Sequence, residues 1–154
     1  MTARLRKIYS AVGALMLFEF LAQFYTIASS GFATVANQIA NAGPASGAEQ
    51  EVDPFAAAHA VIGVFIVPLT ILSLIALSLG ARLPRRTTVL TGLLFLLWVF
   101  QFMLAFVGFA GVAPIAGLHG INALALVGLG IYLVRSNWAL WQQGPAPAPT
   151  NSTT

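Results

Sequence analysis

Four long apolar segments constrain the fold of this chain more than any other feature of its sequence. They cover residues 8–28, 55–80, 87–110 and 115–134, and a transmembrane helix needs about 20 largely apolar residues. Only 7% of the 154 residues are charged, against about one quarter in soluble domains. The sequence therefore predicts an all-α membrane protein, an antiparallel four-helix transmembrane bundle.

The basic residues predict the orientation of this bundle. All seven fall on one side of the predicted spans: Arg4, Arg6, Lys7, Arg82, Arg85, Arg86 and Arg135. Three acids, Glu49, Glu51 and Asp53, lie on the other side, between the first and second spans. Since basic residues concentrate in cytoplasmic loops, we expect a multi-pass protein of the cell membrane with both termini inside. The cations separate apolar spans and do not gather on one soluble face, so they do not indicate a nucleic-acid partner.

The segments outside the spans carry weaker signals. Residues 1–143 are expected to form the bundle, with an external loop over 29–54, and residues 144–154 a disordered, proline-rich tail. In the loop, Phe32, Val35 and Ile39 recur at helical spacing, which predicts either a short lid on the outer surface or a flexible loop.

The sequence has two histidines and no cysteine. The absence of cysteine excludes thiolate metal sites, iron–sulfur clusters and thioether-attached haem, which leaves nitrogen and oxygen as ligands. His59 lies in FAAAHAVIG and His119 in IAGLHGINA, both within apolar spans, where an ionisable residue is a candidate functional residue. The two histidines are therefore the first candidates for a site.

The two halves of the chain follow the same order of features. FEFLAQFYTIA with Gln23 precedes the His59 span, and WVFQFMLAFVG with Gln101 precedes the His119 span. This order predicts two tandem two-helix repeats, which have parallel topology and are related by an axis along the membrane normal. Both histidines are then expected at equal depth, roughly 6 Å below the outer boundary of the bundle.

A pair of level histidines predicts one haem b held between the second and fourth spans, with no need for covalent attachment. Small residues that share a helical face with the histidines leave room for a macrocycle: Ala56, Gly63, Ala116 and Ala123. Each imidazole also needs an acceptor for its other N–H. The candidates are Gln23, Gln101, Asn122 or a backbone carbonyl.

This interpretation predicts one-electron transfer near the outer face, between a lipid quinone or membrane partner and an external acceptor. Two alternatives stay open. In the first, the protein is a cofactor-free accessory subunit of a larger membrane complex, or a homo-oligomer, and the histidines hydrogen-bond across closely packed helices. In the second, the histidines and either Asp53 or Glu51 bind Zn²⁺ or Cu²⁺. Against haem, no basic residue lies on the outer side to neutralise its propionates.

Glu19 and Pro68 are unusual residues inside the spans. An ionised carboxylate in hydrocarbon is costly, so Glu19 is expected to be neutral, either in a hydrogen-bonded patch with Gln23 and Gln101 or as a proton carrier or quinone partner. Pro68 lacks the N–H that would bond to the Val64 carbonyl and is expected to bend the second helix.

Several of these motifs together resemble a known family. Over most of residues 5–135, the chain resembles an uncharacterised family of small bacterial four-helix integral membrane proteins. The resemblance is carried by an aromatic span with glutamine, a histidine-bearing second span, the LPRR link and GLHGINALALVGLGIYLVR. The resemblance implies the fold and the importance of His59, His119 and Gln101. It implies no activity.

The placement of the histidines is also similar, more distantly, to membrane b-type cytochromes and to one half of the haem A synthase bundle. Ala56 and Ala60 stand where haem A synthase has its Glu-x-x-His-Arg pattern. The activity of that enzyme is therefore not implied.

Overall fold

The computed structural model describes residues 2–40 and 53–142. Its helices are α1 (Thr2–Ala40), α2 (Pro54–Val61), α3 (Val67–Gly80), α4 (Arg85–Phe109) and α5 (Ala113–Gln142), with a π-helical segment, Ile62–Ile66, between α2 and α3. Four stretches are long and apolar enough to cross a membrane: Ala3–Ile39, Pro54–Gly80, Arg85–Phe109 and Gly117–Trp138. The prediction of an all-helical chain with four candidate spans is confirmed. The predicted tail and residues 41–52 of the predicted loop lie outside the described residues.

The four spans surround a common axis in chain order. α1 packs against α3 and α5, and α4 packs against the same two helices. The second span, which consists of α2, the π-helical segment and α3, therefore lies diagonally across from α5. This arrangement lets the two histidine-bearing spans face each other.

The buried apolar core occupies one end of the bundle. Its residues are Tyr9, Met16, Phe20, Val67, Ile71, Leu74, Ala81, Leu83, Leu94, Leu126 and Leu133. At the same end the Tyr9 hydroxyl and the Thr91 hydroxyl are hydrogen-bonded over 2.8 Å. No residue of α2 or of the π-helical segment is buried, and α2 packs mainly on α1. The bundle is thus tightly packed at the core end and more loosely packed at the end that carries α2, which we call the open end.

The π-helical segment is explained by the proline that follows it. The Val67 N–H donates to the Ile62 carbonyl, five residues back, and Pro68 has no N–H to offer the next carbonyl, that of Gly63. The Trp98 indole Nε1 donates to the Gly63 carbonyl over 2.8 Å. A side chain of α4 therefore supplies the donor that the proline removes from the second span.

The sequence predicted a bend and a freed carbonyl at Val64, whereas the carbonyl that is bonded from another helix is that of Gly63. We expect Trp98→Phe to lower the free energy of unfolding by about 1–3 kcal/mol, because the carbonyl loses its donor in a place with little water. In a Pro68→Ala background the new N–H of residue 68 can donate to the freed carbonyl, so the loss of unfolding free energy caused by Trp98→Phe should be smaller. Unfolding of the four proteins in detergent measures the difference; equal losses in both backgrounds would exclude this explanation.

α1 is longer than predicted. It includes residues 29–40, where the sequence predicted the start of a loop or a lid. Its 39 residues, at about 1.5 Å each, exceed the roughly 30 Å of a hydrocarbon core, so the helix continues beyond the membrane. Phe32, Val35 and Ile39 are 79%, 53% and 72% exposed and do not cover the bundle. The helical pattern of these residues is confirmed, but they continue α1 and form neither a flexible loop nor a separate short helix.

Candidate functional site

His59 and His119 meet across the open end of the bundle. Their ring centres are 6.5 Å apart and their ring planes are inclined by 57°. His59 lies five residues after the start of α2 at Pro54, and His119 six residues after the start of α5 at Ala113, which is about one and a half helical turns in each case. Both are half-buried. The structure therefore brings together the two residues on which the predicted site depends.

Each histidine is paired with the glutamine of the preceding span by two hydrogen bonds that run in opposite directions. The His59 Nδ1 lies 3.2 Å from the Gln23 carbonyl oxygen, and the Gln23 Nε2 donates to the His59 carbonyl over 3.0 Å. The corresponding distances for His119 and Gln101 are 3.1 Å and 2.9 Å. The ring and the backbone of each histidine are thus both held by one glutamine.

These bonds determine which ring nitrogen is available to a ligand. A carbonyl oxygen only accepts, so each Nδ1 carries the proton and each Nε2 keeps its lone pair. Neither Nε2 has a hydrogen-bond partner among the described residues. Donation of the other ring N–H to a carbonyl is the arrangement that orients metal-binding histidines. Both rings therefore present a nitrogen suited to a metal ion.

The side chains of Gln23 and Gln101 are held in place by different contacts. The Asn122 Nδ2 donates to the Gln101 Oε1 over 2.7 Å and to the Leu97 carbonyl over 2.9 Å. Gln23 packs against Gly63, where a Cβ atom would lie 3.2 Å from the Gln23 Nε2. The missing side chain of Gly63 therefore makes room for the Gln23 side chain.

The acceptors for the imidazole N–H groups are the two glutamine backbone carbonyls. Asn122, which the sequence offered as another acceptor, positions Gln101 instead. We expect Gln101→Leu to destabilise the protein more than Gln23→Leu, by about 1 kcal/mol, because it also removes the bond from Asn122. Unfolding of both variants in the same detergent measures this, and a larger loss in Gln23→Leu would contradict it.

The other small residues near the histidines have varied surroundings. Ala56 is exposed and Ala123 is half-buried, while Ala116 lies in α5 with its side chain outside the described part of the structure. A Cβ atom at Gly117 or at Gly120 would have no described atom of another element within 4 Å. Both glycines are exposed, so this open space lies at the outer surface of α5.

α4 carries a column of aromatic rings beside the site. Phe95, Trp98, Phe102 and Phe106 follow each other with ring centres 5.4, 6.2 and 6.2 Å apart. Their spacing of three or four residues places the four rings on one face of the helix. The column gives α4 a continuous aromatic face that passes the level of Gln101, the residue bonded to His119.

The described residues contain no group of three or more His, Cys, Asp or Glu side chains that could hold a metal ion. Asp53, a candidate third ligand for zinc or copper, caps α2, and its Oδ1 accepts from the Phe55 N–H over 2.9 Å. Glu51 lies outside the described residues. The described part of the site therefore offers two imidazole nitrogens and no third protein ligand.

Glu19 does not join the glutamines. Its Oε1 accepts from the Thr70 hydroxyl over 2.7 Å, and the side chain is only 6% exposed. The Oε2 atom is buried without a hydrogen-bond partner. The predicted patch with Gln23 and Gln101 is wrong, because both glutamine side chains donate to histidine carbonyls.

Comparison of the chain with family models, with curated proteins and with solved structures gives no match. The four apolar helices define its class, that of a multi-pass membrane protein. The resemblance of residues 5–135 to small bacterial four-helix proteins stays a prediction. The histidine site is therefore the main evidence for a function.

Proposed function

We propose that this protein is a bis-histidine b-type haem protein of the cell membrane, which carries single electrons near the outer face. In this proposal the Nε2 atoms of His59 and His119 bind one haem iron from opposite sides. The observation that carries the proposal is the 6.5 Å separation of the two rings, together with the carbonyl acceptor beside each Nδ1.

The ring separation favours two ligands in line across one metal ion. With a metal–nitrogen bond of about 2 Å and about 1 Å more to the ring centre, two imidazoles on opposite sides of an ion have ring centres about 6 Å apart. A tetrahedral ion such as zinc would bring the ring centres to about 5 Å. The observed 6.5 Å agrees better with the in-line arrangement, and haem supplies the remaining ligands itself.

The second span is less tightly packed at the end that carries His59 than at the core end. α2 has no buried residue and does not pack closely against α5 among the described residues. A well-packed bundle leaves few voids larger than a water molecule. A more loosely packed end, with two imidazole ring centres 6.5 Å apart, supports a bound group that completes the packing.

The matching histidine–glutamine pairs support the finer architecture. We infer two tandem repeats of two helices, α1 with the second span and α4 with α5, in an antiparallel bundle with parallel repeats. All basic residues of the sequence lie at the core end of the helices, away from the histidines. By the positive-inside rule, we place the core end and both termini at the cytoplasm and the haem near the outer face.

The lipid bilayer is then the immediate partner of the apolar outer surface, and the electron donor is a lipid quinone or another membrane subunit. When bound, the haem supplies a one-electron couple. The protein orients both axial imidazoles through their Nδ1–H bonds and keeps the site apolar, two influences on the reduction potential.

The absorption spectrum of the purified protein, with a metal analysis of the same sample, tests the proposal. We expect a Soret band, an α band after reduction and one iron per chain. Zinc or copper without a Soret band would favour the metal-site alternative. A colourless, metal-free and stably folded protein would favour the accessory subunit and overturn the haem proposal.

A further inference from the structure

Glu19 has no structural role that requires a carboxyl group. It is 6% exposed, and its one hydrogen bond, from the Thr70 hydroxyl over 2.7 Å, would be accepted equally by a glutamine amide oxygen. The Oε2 atom is buried without any partner. Buried polar atoms are almost always hydrogen-bonded, and an ionised carboxylate with an unpartnered oxygen in an apolar place is costly.

Among the described residues, nothing near Glu19 in sequence supplies a positive charge. The titratable or charged side chains on α1 and on the elements packed against it, with the cap of α2, are Arg4, Arg6, Lys7, Tyr9, Tyr25, Asp53, His59, His119, Tyr132 and Arg135. Lys7, the nearest basic residue along α1, is twelve residues or about 18 Å away. The π-helical segment and α3 contribute no titratable side chain.

Glu19 lies one turn of α1 away from a glutamine of the proposed haem site. It lies four residues, or about 6 Å along α1, from Gln23, and the carbonyl of Gln23 accepts from the Nδ1 of His59. A ferric bis-imidazole haem carries one more positive charge than the ferrous form. In a low-dielectric interior that charge stabilises a nearby carboxylate, and its loss makes the carboxylate costly.

We propose that Glu19 binds one proton when the haem held by His59 and His119 is reduced, and releases it on oxidation. This proposal rests on the proposed function. One electron from a one-electron donor converts Fe³⁺ to Fe²⁺, and one proton from water forms the O–H bond of the Glu19 carboxyl. Oxidation breaks that O–H bond and returns the proton to water. The Thr70 hydroxyl donates to Oε1 in both states.

The pH dependence of the haem midpoint potential tests the proposal. In the wild-type protein the potential should fall as the pH rises, by up to about 59 mV for each tenfold fall in proton concentration. Glu19→Gln keeps the bond from Thr70 and removes the titrating proton, so its potential should lose this dependence. Glu19→Asp keeps a carboxyl group and should retain it, which provides a second variant if the first folds poorly.

Reduced-minus-oxidised infrared difference spectra give a second readout. Reduction should produce the carbonyl band of a protonated carboxyl group in the wild type, and this band should be missing in Glu19→Gln. A haem-loaded Glu19→Gln protein with an unchanged pH dependence and an unchanged infrared band would overturn the proposal. A protein without a Soret band would overturn the proposed function and with it this inference, and the absorption spectrum distinguishes that outcome before any titration.

Discussion

His59→Ala and His119→Ala are each expected to remove nearly all of the Soret absorption and of the reduced α band from the purified protein. A haem without a covalent attachment depends on its two axial nitrogens. Each substitution removes one of them and also deprives a glutamine carbonyl of its donor. Because the two histidines make the same set of bonds, the two losses should be similar. Absorption spectra at equal protein concentration measure them.

Two controls separate loss of a ligand from loss of the fold. Added imidazole fits the space left by either alanine and should restore a six-coordinate spectrum. Phe65→Ala, in the same span at a side chain that is 62% exposed, should leave the spectrum unchanged. If either histidine variant kept the full wild-type spectrum, that histidine would not be an axial ligand.

Gly130→Leu is expected to give the second largest effect, a fall of about 3 kcal/mol in the free energy of unfolding, at the upper end for overpacked cores. A Cβ atom at Gly130 would lie 3.1 Å from side-chain atoms of Leu17 and Met16 and 3.3 Å from Phe20. A leucine there forces α5 away from α1. Since α1 carries the glutamine that holds one histidine and α5 carries the other histidine, haem affinity should fall as well.

Gly128→Leu is the matched control on the same helix. A Cβ atom at Gly128 would have no described atom of another element within 4 Å, so a leucine there should have little effect on stability or on haem content. Unfolding in detergent and haem titration of both variants measure the contrast. Equal losses at the two positions would show that α1 and α5 do not pack as closely as the structure places them.

The sequence predicted the parts of the fold that follow from local chemistry. Span lengths follow from apolar runs, and the histidine–glutamine pairs follow from the order of features in the two halves. Helix ends were less predictable. Charged residues before residue 8 and polar residues after residue 28 suggested that the first helix stops there, yet an exposed helix accommodates both, and α1 runs from Thr2 to Ala40.

Contacts that depend on how each helix is rotated could not be predicted. The bond from Trp98 to the Gly63 carbonyl and the bond from Thr70 to Glu19 join residues of different spans, and no spacing along one helix reveals them. Pro68 gave a partial signal, because a proline inside a span always leaves a carbonyl in need of another donor. Trp98, in the middle of the third span, has the indole N–H that such a carbonyl needs.

The electron paramagnetic resonance spectrum of the oxidised protein tests the central claim most directly, because it reports the axial ligands of a ferric haem. We predict one low-spin, six-coordinate haem per chain, with a signal that disappears in both His59→Ala and His119→Ala. A high-spin, five-coordinate signal, or a low-spin signal that survives both substitutions, would contradict coordination of one iron by these two histidines.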